Sequence, residues 1–133
     1  MNETTDAMDR TIVGSVVRDV TCVVDPKATL RTVAGAMVET GEALAVVVDG
    51  LSVSGVVSEG DIVRALHDGA DLDEVWASDA MTEDLLVIDV DTPVSEAMKT
   101  MIEARVRHLI VHRAESPGLV SLAEVVSSVL DSD

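Results

Sequence analysis

Two short segments carry the side chains best suited to chemistry, and each follows a predicted strand. Gly55–Asp61 returns 63 positions later as Gly118–Glu124. Each segment places a serine three residues before a carboxylate: Ser58 before Asp61, and Ser121 before Glu124. A hydroxyl and an acidic side chain at this spacing are typical of a capping box at a helix N-terminus. From spacing alone, helix capping is the favoured interpretation.

Arg107 and His108 stand together at the entry to a predicted strand. Arginine binds phosphate oxygens through a planar fork of donors, and a histidine can add another donor. The alternative is a surface arginine beside a half-buried histidine. The histidines and Cys22 lack metal-ligand spacing, and no P-loop or Gly-x-Ser-x-Gly motif occurs. We therefore expect no metal site and no catalytic residues.

The hydrophobic pattern predicts the order strand, helix, strand, strand, helix, and this order occurs twice. The first set comprises Thr21–Val24, Leu30–Glu39, Ala43–Val48, Leu51–Val57 and Ser58–His67. The second set comprises Leu85–Ile88, Pro93–Glu103, Leu109–Val111, Gly118–Val120 and Leu122–Leu130. Repeated small sheets covered by helices predict an α+β fold. The predicted segments are an N-terminal extension (1–16), repeat 1 (17–69), a connector (70–78) and repeat 2 (79–133).

Composition restricts the classes of partner. The chain has 133 residues, 47% of them hydrophobic, but no Phe or Tyr and one Trp, so the predicted core is aliphatic. Its 25 acidic and nine basic residues give a net charge of −16, which favours an acidic surface in a halophilic host and excludes binding to nucleic acid backbones. No segment is typical of a membrane span or a signal peptide, and the lone Cys22 fits a reducing compartment. We expect a cytoplasmic protein.

The duplicated order of segments resembles the CBS-domain pair, also called the Bateman module. The resemblance covers Val17–Leu130, nearly the whole chain. The segments that carry it are Val20–Gly41, Gly55–Leu66, Asp79–Thr82, Val106–Val111 and Gly118–Glu124. It implies tandem repeats packed with pseudo-two-fold symmetry. Because the chain has no room for a catalytic domain, we expect a stand-alone pair.

The resemblance also implies a nucleotide site. In this family the serine and aspartate at Ser58 and Asp61 hold the ribose of an adenosine nucleotide, and a carboxylate can accept from both hydroxyls of a vicinal diol. Residues in the segment of Arg107 and His108 hold its phosphates. The implied apolar walls for the adenine are Val56, Leu85, Leu86 and Leu109.

A second, equivalent site is expected to be weaker. Ser121 and Glu124 would take the ribose, with glutamate in place of the family's aspartate, and Cys22 and Val23 would line the base pocket. The segment equivalent to Arg107 and His108 carries no charge. One occupied site per chain is therefore the expectation, although uncharged adenosine or a cationic S-adenosyl ligand remains open for the second.

The resemblance implies a regulatory module that binds an adenine nucleotide, AMP above all, and needs no cofactor. It also implies a homodimer that changes conformation with ligand and is read by a protein partner. One alternative is a dimerisation or scaffold module without a ligand, in which capping is the whole role of Ser58 and Asp61. Another is an S-adenosylmethionine sensor. No residue constellation supports an enzyme.

Overall fold

The computed structural model describes residues 8–130, so residues 1–7 of the predicted extension and residues 131–133 of repeat 2 lie outside the described chain. The chain divides into two compact units. The continuous unit is Val20–Leu85. The discontinuous unit combines the described residues up to Asp19 with those from Leu86 onward. Each unit is built around one of the two repeated sets of elements.

All ten predicted elements occur, with boundaries shifted by a few residues at most. In chain order, the elements are a 3₁₀ turn (Val13–Ser15), β1 (Arg18–Asp19), β2 (Val23–Val24), α1 (Leu30–Thr40), β3 (Leu44–Asp49), β4 (Ser52–Ser58), α2 (Glu59–His67), α3 (Ala77–Ala80), β5 (Val87–Asp89), α4 (Val94–Ala104), β6 (His108–His112), β7 (Gly118–Ser121) and α5 (Leu122–Leu130). The predicted α+β fold is confirmed. None of the helices between residues 8 and 130 has the length and apolar content needed to cross a membrane.

The sheet of the continuous unit has the order β2-β3-β4, with β2 parallel and β4 antiparallel to β3. The central strand β3 is the unbroken apolar run, as expected for a strand buried on both faces. A turn at Asp49-Gly50 joins β3 to β4, and Gly50 has the positive φ of 63° that such a turn favours. The core residues are Cys22, Val24, Leu30, Val33, Met37, Ala45, Val47, Val57 and Ala77.

The discontinuous unit has a four-stranded sheet of order β1-β7-β6-β5. Its edge strand β1 is two polar residues long and lies antiparallel to β7, with Arg18 opposite Leu119. Neither this strand nor the short helix α3 was predicted, because neither has a hydrophobic period long enough to recognise. The core residues are Val13, Val94, Ala97, Met101, Leu109, Val111, Val120, Val125 and Val129.

The first glycine of each repeated segment permits a close backbone approach. A Cβ on Gly55 would lie 2.7 Å from the carbonyl oxygen of Thr82 and 2.8 Å from Sδ of Met81. A Cβ on Gly118 would overlap Val17 in the equivalent place of the other unit. Both strands that carry the serine–carboxylate pairs are therefore packed against a second segment where only glycine fits.

We predict that Gly55→Ala lowers the free energy of unfolding by about 1–3 kcal/mol, because the added methyl group meets a backbone oxygen that cannot move aside. Gly35→Ala is the matched control. Gly35 lies within α1 with nothing within 4 Å of an added Cβ, so alanine there should stabilise the protein by about 0.5–1 kcal/mol. Denaturant unfolding of both variants tests the prediction, and equal effects of the two substitutions would contradict it.

Candidate functional site

Ser58 and Asp61 form a reciprocal capping box where β4 passes into α2. The Asp61 N–H donates to Ser58 Oγ over 3.2 Å, and the Ser58 N–H donates to Asp61 Oδ2 over 2.9 Å. The first amide of the helix, that of Glu59, donates to the carbonyl of Ala43 over 3.2 Å. The capping interpretation is confirmed. These bonds fix the directions of the hydroxyl and the carboxylate.

The cap leaves part of this pair's hydrogen-bonding capacity unused. A carboxylate offers about four acceptor positions, two on each oxygen. Asp61 Oδ2 accepts from the Ser58 amide, and Oδ1 accepts from Arg64 Nη1 over 3.3 Å. Each oxygen therefore keeps one acceptor position. Among the described residues, the Ser58 hydroxyl accepts a bond but donates none.

Ser121 and Glu124 also form a capping box, but their groups are more fully engaged. The Glu124 amide donates to Ser121 Oγ over 3.2 Å. In return, Glu124 Oε1 accepts from the Ser121 amide over 3.1 Å and from the Ser121 hydroxyl over 2.7 Å. The extra methylene of glutamate brings the carboxylate back onto the serine hydroxyl, a bond that the Ser58–Asp61 pair lacks.

Each capping carboxylate has an arginine partner that the sequence analysis did not assign to it. Arg64 follows Asp61 by three residues on α2, a spacing at which helical side chains are neighbours and which could have indicated the pair. Arg18 lies on β1 and bonds Glu124 Oε1 through Nε over 3.0 Å. No local spacing indicates this second pair, because 106 positions separate the two residues.

Arg107 and His108 lie in the discontinuous unit beside the N-terminus of α5. The Leu122 amide donates to the Arg107 carbonyl over 2.8 Å, and His108 stands opposite Ser121 in the register of β6 and β7. His108 is half-buried, whereas Arg107 is exposed and its side chain makes no ion pair within residues 8–130. The unit thus brings a serine, a histidine and an unpaired guanidinium to the end of the sheet where α5 begins.

The residues predicted as apolar walls differ in exposure. In the continuous unit, Val56 and Leu85 are half-buried, and Val56 exchanges two backbone bonds with Thr82, of 3.1 and 2.8 Å. In the discontinuous unit, Leu86 is the first residue of the second chain segment and is exposed, and its carbonyl accepts from the Ile110 amide. Leu109 lies in the core of the same unit.

Cys22 and Val23, the residues predicted to line the weaker base pocket, have opposite surroundings in the continuous unit. Val23 is exposed, whereas Cys22 is 1% exposed and belongs to the core. Burial raises the pKa of the Cys22 thiol, a hydrogen bond with the Thr40 side chain opposes this, and the charge of Glu42 adds to it. The thiol is therefore kept in its neutral form.

We predict that Cys22 of the folded protein reacts with iodoacetamide at least about tenfold more slowly than an ordinary thiol near pH 8. The thiolate is the reactive form, and a raised pKa lowers its fraction while burial limits access. The same protein unfolded in guanidinium chloride is the control and should react at the ordinary rate. Equal rates in the two states would show that Cys22 is not buried.

The discontinuous unit has an acidic depression of about 540 Å³ at the opposite end of its sheet from Arg107. Its lining includes Asp89, Asp91, Glu96 and His112. Within residues 8–130, no group of three or more histidine, cysteine or acidic residues has the geometry to hold a metal ion.

The sequence pattern of the CBS domain family matches this chain twice, at residues 6–68 and 77–131. Together the two matches cover nearly the whole chain. The chain is a tandem CBS-domain protein. The serine–carboxylate pairs at the two strand-to-helix junctions occupy equivalent positions in the two CBS domains.

Two archaeal proteins are similar in sequence. A 17.7 kDa protein of Acidianus ambivalens is 31% identical over 112 residues, which are 82% of this chain and 67% of that protein. A 33.4 kDa protein of Thermofilum pendens is 34% identical over 109 residues, which are 80% of this chain but only 36% of that protein. The chain thus spans about two thirds of one relative and about a third of the other.

Solved CBS-domain structures share the fold. A CBS-domain protein of Pyrobaculum aerophilum in complex with AMP has a TM-score of 0.76 and 22% identity, covering 90% of this chain and 98% of that one. The CBS domain of a bacterial CNNM/CorC family Mg²⁺ transporter in complex with ATP has a TM-score of 0.80 and 16% identity, covering 96% and 95%. At these identities, the likeness is one of fold.

Proposed function

We propose that this CBS-domain protein is a regulatory module that binds an adenine nucleotide, with AMP as the leading ligand. The observation that carries the proposal is the unused capacity of the Ser58–Asp61 pair. Asp61 keeps one acceptor position on each carboxylate oxygen, and the Ser58 hydroxyl donates no hydrogen bond to a described residue. A ribose has two neighbouring hydroxyls that donate, and both can bond to one carboxylate.

Arg107 is the proposed phosphate contact, with His108 as a second donor. In a chain with a net charge of −16, an exposed guanidinium without a carboxylate partner among the described residues is suited to an anionic ligand. Its backbone is held at the N-terminus of α5, and the positive end of a helix dipole also favours anions. A bidentate arginine bond to phosphate is stronger than a neutral hydrogen bond.

The remaining proposed contacts are apolar. Val56, Leu85 and Leu86 would contact the adenine, and Leu109 would shape that surface from within the core. The weaker second site would use Ser121, Glu124, Cys22 and Val23, of which Cys22 is already packed in the core. We propose that only the site containing Ser58 and Asp61 is filled.

Two structural neighbours that are complexes with adenine nucleotides support this class of ligand. The Pyrobaculum aerophilum structure is a complex with AMP, and the transporter CBS domain is a complex with ATP. S-Adenosylmethionine, which has the same ribose but a cationic substituent, is the alternative ligand. It would use Ser58 and Asp61 but not Arg107.

Signalling would follow from a difference in affinity between two conformations, one of which a protein partner recognises. We further propose a cytoplasmic homodimer from a halophilic host. Equivalent positions in the two repeats expose apolar side chains that a second copy would cover. These positions are Val38 and Ile102 on α1 and α4, and Val63 and Val126 on α2 and α5.

A dimerisation or scaffold module is the second candidate. The observation in its favour is that the capping box is complete without a ligand, since both of its reciprocal bonds lie within the chain. In that case Ser58 and Asp61 would contribute only to stability. The two candidates predict different results for the same substitution.

We predict that Asp61→Asn weakens binding of both AMP and adenosine by about tenfold or more, measured by calorimetric titration in molar KCl. The amide can still accept from the Ser58 amide, but it loses one carboxylate oxygen and the charge that strengthens these bonds. Glu59→Gln, which removes the same charge from an exposed position of α2, is the control and should leave binding unchanged. If the folded wild-type protein binds none of AMP, ATP and S-adenosylmethionine, the nucleotide-binding proposal is contradicted and the scaffold module is supported.

We predict that Arg107→Ala weakens AMP binding by about tenfold and leaves adenosine binding unchanged, because only AMP carries the phosphate. Lys99→Ala is a charge-matched control on the exposed face of α4. Equal losses for AMP and adenosine would assign Arg107 a structural role, and no loss for either would exclude it from the site.

A further inference from the structure

We infer that the bond from Arg18 to Glu124 prevents the Ser121–Glu124 pair from binding a sugar diol. The chain would therefore bind one nucleoside, at Ser58 and Asp61. The inference rests on the proposed function, because it assumes that the pair of Ser58 and Asp61 binds a ribose. It concerns the discontinuous unit alone, in which Arg18, Ser121 and Glu124 all lie.

The count of acceptor positions separates the two carboxylates. Glu124 Oε1 receives three donors: the Ser121 amide, the Ser121 hydroxyl and Arg18 Nε. An oxygen with two lone pairs has no acceptor position left after three bonds. Glu124 therefore cannot offer both of its oxygens to neighbouring hydroxyls, whereas Asp61 can.

The two serine hydroxyls also differ in whether they already donate a hydrogen bond. Ser121 donates its proton to Glu124 over 2.7 Å, a charge-assisted bond that a ligand would have to break. Ser58 makes no such bond with Asp61 and has its proton available. The Ser121–Glu124 pair therefore already uses its hydroxyl proton and one carboxylate oxygen in bonds within the chain.

The two arginine partners, Arg64 and Arg18, differ in how easily a ligand can displace them. The Arg64 side chain is 72% exposed and that of Asp61 is 9% exposed, and 3.3 Å separates them, so it is the arginine of this pair that lies in water and that a ligand can displace. Arg18 and Glu124 are 33% and 30% exposed and are separated by 3.0 Å. Arg18 also makes at least one further interaction.

The carboxylate of Glu124 is not covered by other parts of the unit, since the Glu124 side chain is 30% exposed. A shallow depression of about 440 Å³ adjoins the carboxylate. Ser127, one of its lining residues, stands where α2 carries Arg64. Its lining residues are Val16, Ala123, Glu124, Ser127 and Ser128.

The test is a titration of adenosine into the wild-type protein and into Arg18→Met, in molar KCl, with the number of ligands per chain as the readout. Adenosine has the diol but no phosphate, so any effect of Arg18 on phosphate binding is absent. Methionine keeps the apolar stem of arginine without its donors. We expect one adenosine per wild-type chain and two per Arg18→Met chain, and again one when Asp61→Asn is added to Arg18→Met.

Lys99→Met removes a charge elsewhere in the same unit and should retain one adenosine per chain. Circular dichroism checks the fold, and Arg18→Ala is the second variant if Arg18→Met does not fold. One adenosine per chain for both wild type and Arg18→Met would overturn the inference and leave the proposed function intact. Binding by Arg18→Met but not by wild type would overturn the ribose-binding role of Ser58 and Asp61 on which the inference rests, and no binding by either protein would overturn both.

Discussion

The rest of the structure depends on the carboxylate that caps a helix at the end of each repeat's hairpin. In the continuous unit it joins β4 to α2 by accepting from the Ser58 amide, while the Ser58 hydroxyl accepts from the Asp61 amide, which no helical carbonyl can reach. The same bonds orient Ser58 and Asp61 before any ligand arrives. A preorganised site loses less side-chain entropy on binding than a mobile one. Capping and ligand binding are therefore compatible roles, provided that the cap leaves acceptor positions free.

Charge is the second constraint, because the proposed nucleotide is an anion and the protein is acidic. Most described ion pairs use arginine: Arg18 with Glu124, Arg31 with Asp73, Arg64 with Asp61, and Arg113 with Asp19. Arg107 has no such partner among the described residues. At molar salt the screening length is about 3 Å, so a nucleotide is affected by the charges it contacts and little by the net charge of −16. In the proposed site, Arg107 would then decide phosphate binding.

Hydrophobic periodicity was enough to predict both repeated sets of elements, because the helices and strands with long apolar patterns form the two cores. It could not predict β1, whose two residues are polar and whose position depends on pairing with β7. At the candidate site, the spacing of serine and carboxylate predicted both caps. The ion pair of Arg18 with Glu124 could not be predicted, since it joins residues that meet only after the first and last parts of the unit have folded together.

That pair explains why a duplicated sequence can give unequal sites. The N-terminal strand of the discontinuous unit makes few backbone bonds because it is only two residues long, so side chains must help to hold it. Arg113 Nη2 bonds Asp19 over 2.7 Å at one residue of the strand, and Arg18 bonds Glu124 at the other. In the continuous unit, Thr82 is in the place of Arg18 and pairs with Val56 through two backbone bonds. Asp61 is not needed to hold that segment. Glu124 thus joins the first part of its unit to the last, whereas Asp61 has no such role and keeps the acceptor positions that the proposed ligand would use.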